Sequence, residues 1–502
     1  MKRMQAFFAR VPHFGSLCAG MMLLVILGIQ LFAQQAFAHA YQNHSLLSNA
    51  ALSPVALAAI AGLFALKRRP LSALDHPWLI RGLFLLTLAV QFLVARTCWY
   101  HLGWDPGTVH ASAEEIARGL PVSDVDYFVS CPNNAPLTVL LAIPLRAAVK
   151  IGLGVPYVAL PYIDAVILNA TAYVCFQCVQ RMTRCSASRL AALLLCLGWI
   201  ALSPYILFPY TDVYAIFFPA MAFYLYLAMR RPLLKWLLIS LLCFFGAAIK
   251  PTVLIFLIAL FMFGFCRLLA HRSYALPGFA KRALTIGLAV VIGALPGRLF
   301  QSASTDWLTD GRAAENHLSM THYLMLGMNT ETYGGHSVAD VEFTMGHDTL
   351  EEGQAANLRR AWDRVKERGL AGNLHFFAVK AYKAYADGSF ATQGSFLEIE
   401  VPQRTDALSA FLRRLYQREG DWMPYCLTIV QCLWLGVLAL CALCAIRHRQ
   451  RADVALLCLT LIGLTAYLLL FEVWPRYLFL YAPFFVMLAS LAFDKPDRAV
   501  IK

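Results

Sequence analysis

The 502-residue chain predicts an all-α polytopic membrane protein of about twelve transmembrane helices, with 11 and 13 as the bounding counts, and a mainly helical extracytoplasmic domain. Composition is the first reason: 60% of residues are apolar and 14% charged, against roughly a quarter charged in soluble domains. The second is the run of windows with no Asp, Glu, Lys or Arg: 11–66, 190–211, 213–229, 236–249, 251–266, 283–297, 422–446, 454–471 and 477–493. About 20 apolar residues cross a bilayer as a helix, which satisfies its own backbone. The third is that the basic residues behind the net charge of +13 sit in short clusters between these windows. Such clusters are an orientation signal, so no nucleic-acid partner is expected and an ordinary cytosolic enzyme is excluded.

The first apolar run follows Lys2, Arg3 and Arg10. Ala36-Phe37-Ala38 offers a cleavage-like site, but the run is longer than a signal-peptide core and many spans follow, so an uncleaved first helix is expected. The spans fall at about 16–38, 50–66, 79–97, 157–180, 190–206, 209–229, 235–249, 251–268, 283–300, 424–446, 453–471 and 475–493. Seven basic clusters alternate with them: Lys2/Arg3/Arg10, Lys67/Arg68/Arg69/Arg81, Arg181/Arg184/Arg189, Arg230/Arg231/Lys235, Arg267/Arg272/Lys281/Arg282, Arg447/Arg449/Arg451 and Lys495/Arg498/Lys502. Both termini are therefore expected in the cytoplasm of a multi-pass protein of the cell membrane.

A further apolar stretch, 136–152, carries Arg146 and Lys150 on one helical face. If it crossed, Arg181, Arg184 and Arg189 would lie outside, so it reads as a re-entrant or interfacial helix, with a crossing that violates the charge rule as the alternative. The organisation is then a transmembrane module over 1–300 with a first outer loop at 98–135, an extracytoplasmic domain over 301–421, and C-terminal helices over 422–502. The domain holds 17 of the 29 acidic residues against 12 basic ones, and within it 353–386 reads as two helices broken near Gly369 and Gly372. No internal repeat, Walker loop, dinucleotide fingerprint or zinc signature is present. Most of the 14 cysteines lie inside spans; Cys98 and Cys131 flank the first outer loop and are a candidate disulfide in an oxidising compartment.

Ionisable residues at the outer helix ends are the candidates for chemistry, because charge near hydrocarbon is costly. They are Asp105, Glu114, Glu115, Asp124, Asp126, Asp164, Asp212 and Glu472, with Arg96, Arg118, Arg146, Lys150, Lys250, Arg298 and Arg476. Asp105, in CWYHLGWDPG, stands among Trp99, Tyr100, Trp104 and Pro106. It is either a turn former in an interfacial aromatic belt or a base for a hydroxyl beside rings that stack on a sugar. Asp212 in FPYTDVY is a helix cap or a site residue. Lys250 in AAIKPTV and Arg476 in FEVWPRYLF are placed to bind a lipid phosphate, Arg298 and Arg146 more weakly so; for Arg476 the alternative is pairing with Glu472.

With its early outer loop, the acid just after a span and the arginine-tyrosine start of the last span, the chain resembles the GT-C superfamily of integral membrane glycosyltransferases. It is most similar to bacterial members related to protein mannosyltransferases and aminoarabinose transferases. Further strings carry the likeness: YFVSCPNNAPL (127–137), PYTDVY (209–214), IKPT (249–252), HYLMLGMNTETYGGHSVADVEFT (322–344), KAYADGSF (383–390) and PRYLFLYAPFF (475–485). The resemblance implies a GT-C-like core and transfer of a sugar from a polyprenyl-phosphate-sugar donor to an extracytoplasmic glycan, lipid or protein. Asp105 matches the loop acid that acts as general base, and the resemblance implies no firmly bound cofactor. Asp105 is followed by Pro106 rather than a second acid, so a divalent metal is not indicated.

The working assignment is inverting displacement with Asp105 as base and Arg476, Lys250 and Arg298 on the donor phosphate. Asp212 and Trp104 support the site or bind acceptor. His322, Tyr333, Asp340 and Asp387, in the resembling strings, either shape the acceptor pocket or hold the outer domain together. Rival classes are a transporter or flippase of lipid-linked sugars, a ligase or polymerase whose donor leaves as a diphosphate, and an assembly protein. A transporter predicts related halves and ionisable residues at the midplane, whereas here the candidates gather at one face.

Overall fold

The computed structural model describes residues 2–66, 71–270, 276–315, 318–399, 401–402 and 406–495. Lys67, Arg68, Arg69, Arg272, Arg498 and Lys502 lie outside them. The described residues form an all-helical bundle whose main helices, in chain order, are α1 (Lys2–Phe32), α2 (Asn49–Leu66), α3 (Pro77–Cys98), α4 (Trp104–Arg118), α5 (Ala135–Lys150), α6 (Ala159–Met182), α7 (Ser186–Leu195), α8 (Thr211–Ala228), α9 (Pro232–Ile249), α10 (Leu254–Ala270), α11 (Leu276–Leu308), α12 (Leu350–Tyr385), α13 (Met423–Arg447), α14 (Ala452–Leu470) and α15 (Ala482–Leu491). Eleven helices among the described residues are long and apolar enough to cross a membrane, and the shorter Pro475–Leu491 segment adds a twelfth apolar element.

The first candidate span covers Arg10–Phe32, ending six residues earlier than its composition suggests. Residues 34–43 instead turn against the insertion between α11 and α13, where the Asn43 side chain donates to the Ala386 carbonyl. The stretch after residue 134 is the 16-residue helix α5, which packs along α4 and, less extensively, against α11 and α6. α11 runs unbroken to Leu308, so the insertion starts about two turns beyond residue 300. α12 breaks at Gly369, whose φ of +60° suits a residue without a Cβ.

Apolar side chains such as Leu85, Leu86, Val291 and Leu299 project from the spans with more than half of their surface exposed. In water this belt would drive aggregation; against acyl chains it is the solvated face. Polar side chains are turned inward: Asn169 donates to Gln91 Oε1 at 2.9 Å and Gln91 donates to the Ala201 carbonyl at 2.7 Å, tying α6, α3 and the end of the α7 span. α9 and α11 pack most closely, because Gly293 and Gly297 lie one turn apart on the contact face. A methyl at Gly293 would come within 2.5 Å of the Leu237 carbonyl oxygen, and one at Gly297 within 2.5 Å of the Phe244 carbonyl carbon.

Described members of the basic clusters meet at one end of the bundle. Arg189 pairs with Asp75, Arg451 pairs with Asp453 and Asp494, and His13 Nδ1 lies 3.0 Å from the Arg449 carbonyl. The opposite, loop-rich end holds residues 99–158 and the insertion. These two segments are stitched by Gly103 N–H to the Leu397 carbonyl (2.9 Å) and Ile399 N–H to the His101 carbonyl (2.8 Å). No disulfide joins the described cysteines, so the Cys98–Cys131 bridge is absent: Cys98 is buried at the end of α3 while Cys131 lies near Asp105.

Candidate functional site

Proline shapes two of the strands of chain that build the site. The residue before a proline is pushed out of the helical region. Lys250, before Pro251, is extended (φ −147°, ψ 107°), and Trp474, before Pro475, likewise (φ −140°, ψ 148°). Each break places cationic and aromatic side chains at the loop-rich end instead of continuing a helix. Tyr481 locks the two breaks together, its hydroxyl donating to the Thr252 carbonyl at 2.9 Å and accepting from Phe256 N–H at 3.0 Å.

Lys250 and Asp212 form a buried ion pair between the start of α10 and the start of α8. Asp212 is therefore no helix cap; its Oδ2 is buried and has no hydrogen-bond partner. The Lys250 ammonium also lies 5.0 Å from the Tyr477 ring. Arg476 makes no ion pair among the described residues, and its Nη1 is buried without a hydrogen-bond partner. The expected alternative, pairing of Arg476 with Glu472, does not occur: Glu472 accepts from the Tyr477 hydroxyl at 3.0 Å. The guanidinium instead lies 4.6 Å from the Trp104 ring, 5.3 Å from Tyr477 and 5.8 Å from Tyr210.

Trp104 links this cation to the loop acid. It has a left-handed backbone (φ +46°), an unfavourable conformation for a bulky residue at a cost of about 1–3 kcal/mol. The conformation is held by Trp104 Nε1–H donating to the Ser395 carbonyl at 3.0 Å and by the Arg476 contact. Asp105 follows in the first turn of α4, half-buried, with no hydrogen bond or ion pair among the described residues. Its charge reaches Tyr127, Tyr210, Tyr323 and Cys131, and together with burial it pushes the Cys131 thiol up to about 12. Asn134 fixes two of these rings, donating to the Tyr127 hydroxyl at 2.6 Å and accepting from Tyr210 at 3.1 Å.

The structure thus brings together Trp104, Asp105, Asp212, Lys250 and Arg476. Arg298 stands apart on α11, exposed, 3.4 Å from Gln301 Oε1 and 5.9 Å from the Phe244 ring. The insertion residues have folding partners. His322 Nδ1 is 2.7 Å from Thr344 Oγ1, and burial pushes the imidazole down to about 4. Asp340 takes two hydrogen bonds from Arg364 (2.7 and 3.0 Å) and one from Asn329, which hold its carboxyl below the ordinary range against the effect of burial. Tyr333, also left-handed, stacks on Phe376, and Asp387 accepts from the Tyr41 hydroxyl and two backbone N–H groups.

Sequence reasoning missed Tyr127, Asn134, Tyr210, Tyr323, Tyr477 and Thr252, whose Oγ1 is buried and unpartnered. All six lie in or beside the quoted strings, but a neutral hydroxyl or amide carries no charge signal that separates it from a belt residue. Among the described residues no group of three or more His, Cys, Asp or Glu stands together to hold a metal ion. A cation with an unused donor, an ion pair with an unused acceptor and an unpaired acid thus gather at the loop-rich end, an arrangement chemically able to bind an anion and to take up a proton. A family model described as "Conserved hypothetical integral membrane protein" matches residues 51–496. No curated protein and no solved structure matches the chain.

Proposed function

The chain belongs to this family of conserved hypothetical integral membrane proteins, and from that premise we propose that it is a membrane glycosyltransferase acting on the outer face of the cell membrane. The donor is a polyprenyl-phosphate sugar; the acceptor is an extracytoplasmic glycan, lipid or protein hydroxyl. One observation carries the reading: Arg476, with a buried and unpartnered Nη1, stacks on Trp104, the residue next to the unpaired acid Asp105.

Asp105 accepts the proton of the acceptor hydroxyl as its oxygen bonds to the anomeric carbon. The bond from that carbon to the phosphate oxygen breaks, and its electron pair leaves with the lipid phosphate. Arg476 stabilises the developing negative charge, and Lys250 adds to it from within its pair with Asp212. Base and leaving group stand on opposite sides of the sugar, which inverts the anomeric centre. Trp104 offers a ring face to the sugar while it holds the guanidinium. By the positive-inside rule, the basic residues toward the other end of the bundle support a cytoplasmic side for the termini.

The test is transfer from a defined polyprenyl-phosphate sugar by purified protein and its Asp105→Asn variant. Loss of product in the variant, with donor binding kept, supports the assignment; full turnover removes Asp105 as base. Lipid analysis of a deletion strain separates the rivals: accumulated monophosphate-linked sugar fits the transferase, and altered leaflet distribution alone fits transport.

A further inference from the structure

Behind the site, between α4, α6 and α8, lies a second polar cluster that the transfer reaction does not use. Asp164 stands in the second turn of α6, fully buried, and neither carboxylate oxygen has a hydrogen-bond partner. The hydroxyls of Tyr157 and Tyr214 are buried and unpartnered as well, and so is His110 Nδ1. Tyr157 lies in the 3-10 turn Pro156–Val158 that leads into α6. Tyr214 comes from α8, which packs along α6, and both phenols lie within electrostatic range of the carboxylate. The Tyr157 ring is 5.2 Å from the His110 ring and 4.4 Å from that of His101. His110 Nε2 is 2.6 Å from the Pro209 carbonyl, so that nitrogen carries the proton and Nδ1 presents a lone pair.

Buried polar atoms are almost always hydrogen-bonded, and an unpaired charge in a bilayer is among the costliest arrangements. Asp164 and the two phenols lie within electrostatic range of one another yet form no direct bonds, and a bound cation would give all three a partner at once. Two carboxylate oxygens and two hydroxyl oxygens are hard donors suited to a hard cation. One carboxylate balances one positive charge; a divalent ion would leave an uncompensated charge in the membrane.

We propose that Asp164, with the hydroxyls of Tyr157 and Tyr214, forms a binding site for a single alkali cation. The ion ties α6 to α8 one turn from Tyr210, whose ring lies beneath Arg476, so its occupancy stiffens the wall of the neighbouring site. The proposal does not rest on glycosyl transfer.

The experiment is thermal unfolding of the purified full-length protein in nanodiscs, in NaCl, KCl or N-methylglucamine chloride at equal ionic strength. The melting midpoint is expected to rise with the logarithm of one alkali-cation concentration and stay flat in N-methylglucamine. Asp164→Asn should abolish the rise, and Tyr214→Phe, which removes one ligand, should shift the half-saturating concentration up by roughly tenfold. If Asp164→Asn fails to fold, Tyr214→Phe and Tyr157→Phe carry the test through their altered concentration dependence. Equal midpoints in all three salts overturn the proposal. So does an infrared carbonyl band of a protonated acid, persisting at saturating alkali cation and lost in Asp164→Asn.

Discussion

At Lys250 the chain leaves one span and enters the next with no polar loop between them, and what the ammonium does there depends on Asp212. Removing one member of a buried ion pair leaves the other uncompensated, at a cost of about 3–5 kcal/mol, while replacing both with apolar groups of similar size is often neutral. Lys250→Met and Asp212→Leu should therefore each lower thermal stability sharply, and the double variant should recover much of the loss; unfolding in detergent reads the cycle. Arg476 differs, since no carboxylate among the described residues stands within ion-pair distance of it, and the charge of Asp212 reaches it only from farther away. Arg476→Lys keeps the charge but loses the planar fork and the stacking on Trp104. A charge-assisted hydrogen bond is worth about 1.5–3 kcal/mol, so kcat/KM for the donor should fall roughly 10- to 150-fold. The charged residues of this site were legible in the sequence because each one interrupts an apolar run. Which of them act together was not, as Arg298 shows: its setting between apolar stretches is like that of Lys250, yet α11 carries it to an exposed position.

Among the helices, the α9–α11 contact and the insertion have the most definite consequences. Gly297→Leu would drive a side chain into the α9 backbone, and overpacking costs about 1–3 kcal/mol or more where backbone must move. The expected result is a lower melting midpoint, while leucine at Gly287, which has open space around it, should leave the midpoint unchanged. In the insertion, His322 is held neutral, its pKa lowered from 6.5 to about 4 by burial. The unfolded state then binds more protons between those values, so stability is fully present above about 6.5 and falls as pH drops toward 4. Hydrogen exchange in residues 320–345 should quicken over that window, and His322→Asn should flatten the dependence there; an unchanged profile would show that His322 does not control it. The kink at Gly369 was readable from the paired glycines. The roles of Asp340 and Asp387 were not, because a carboxylate fastened by Arg364, or by Tyr41 and backbone N–H groups, is written like one that awaits a substrate.

For the whole molecule, the division into a basic end and a loop-rich end makes a topological prediction. Reporter fusions after Arg449 should read as cytoplasmic and fusions near Asp348 as extracytoplasmic; the reverse result would invert the proposed placement of the site. The existence, number and approximate limits of the spans follow from the sequence alone, since a bilayer admits only long uncharged helices and the composition repeats that constraint along the chain. The same holds for the separation of basic from loop-rich ends, because charge placement is local in sequence. Tertiary structure alone decided that Trp104, Asp105, Asp212, Lys250 and Arg476 share one mouth while Arg298 and the insertion residues do not. It also left Cys98 and Cys131 unbridged and brought Asp164 within electrostatic range of Tyr157 and Tyr214. Each of those outcomes depends on which faces of distant helices meet, a matter of packing between segments up to several hundred residues apart, on which hydropathy and charge patterns carry no information.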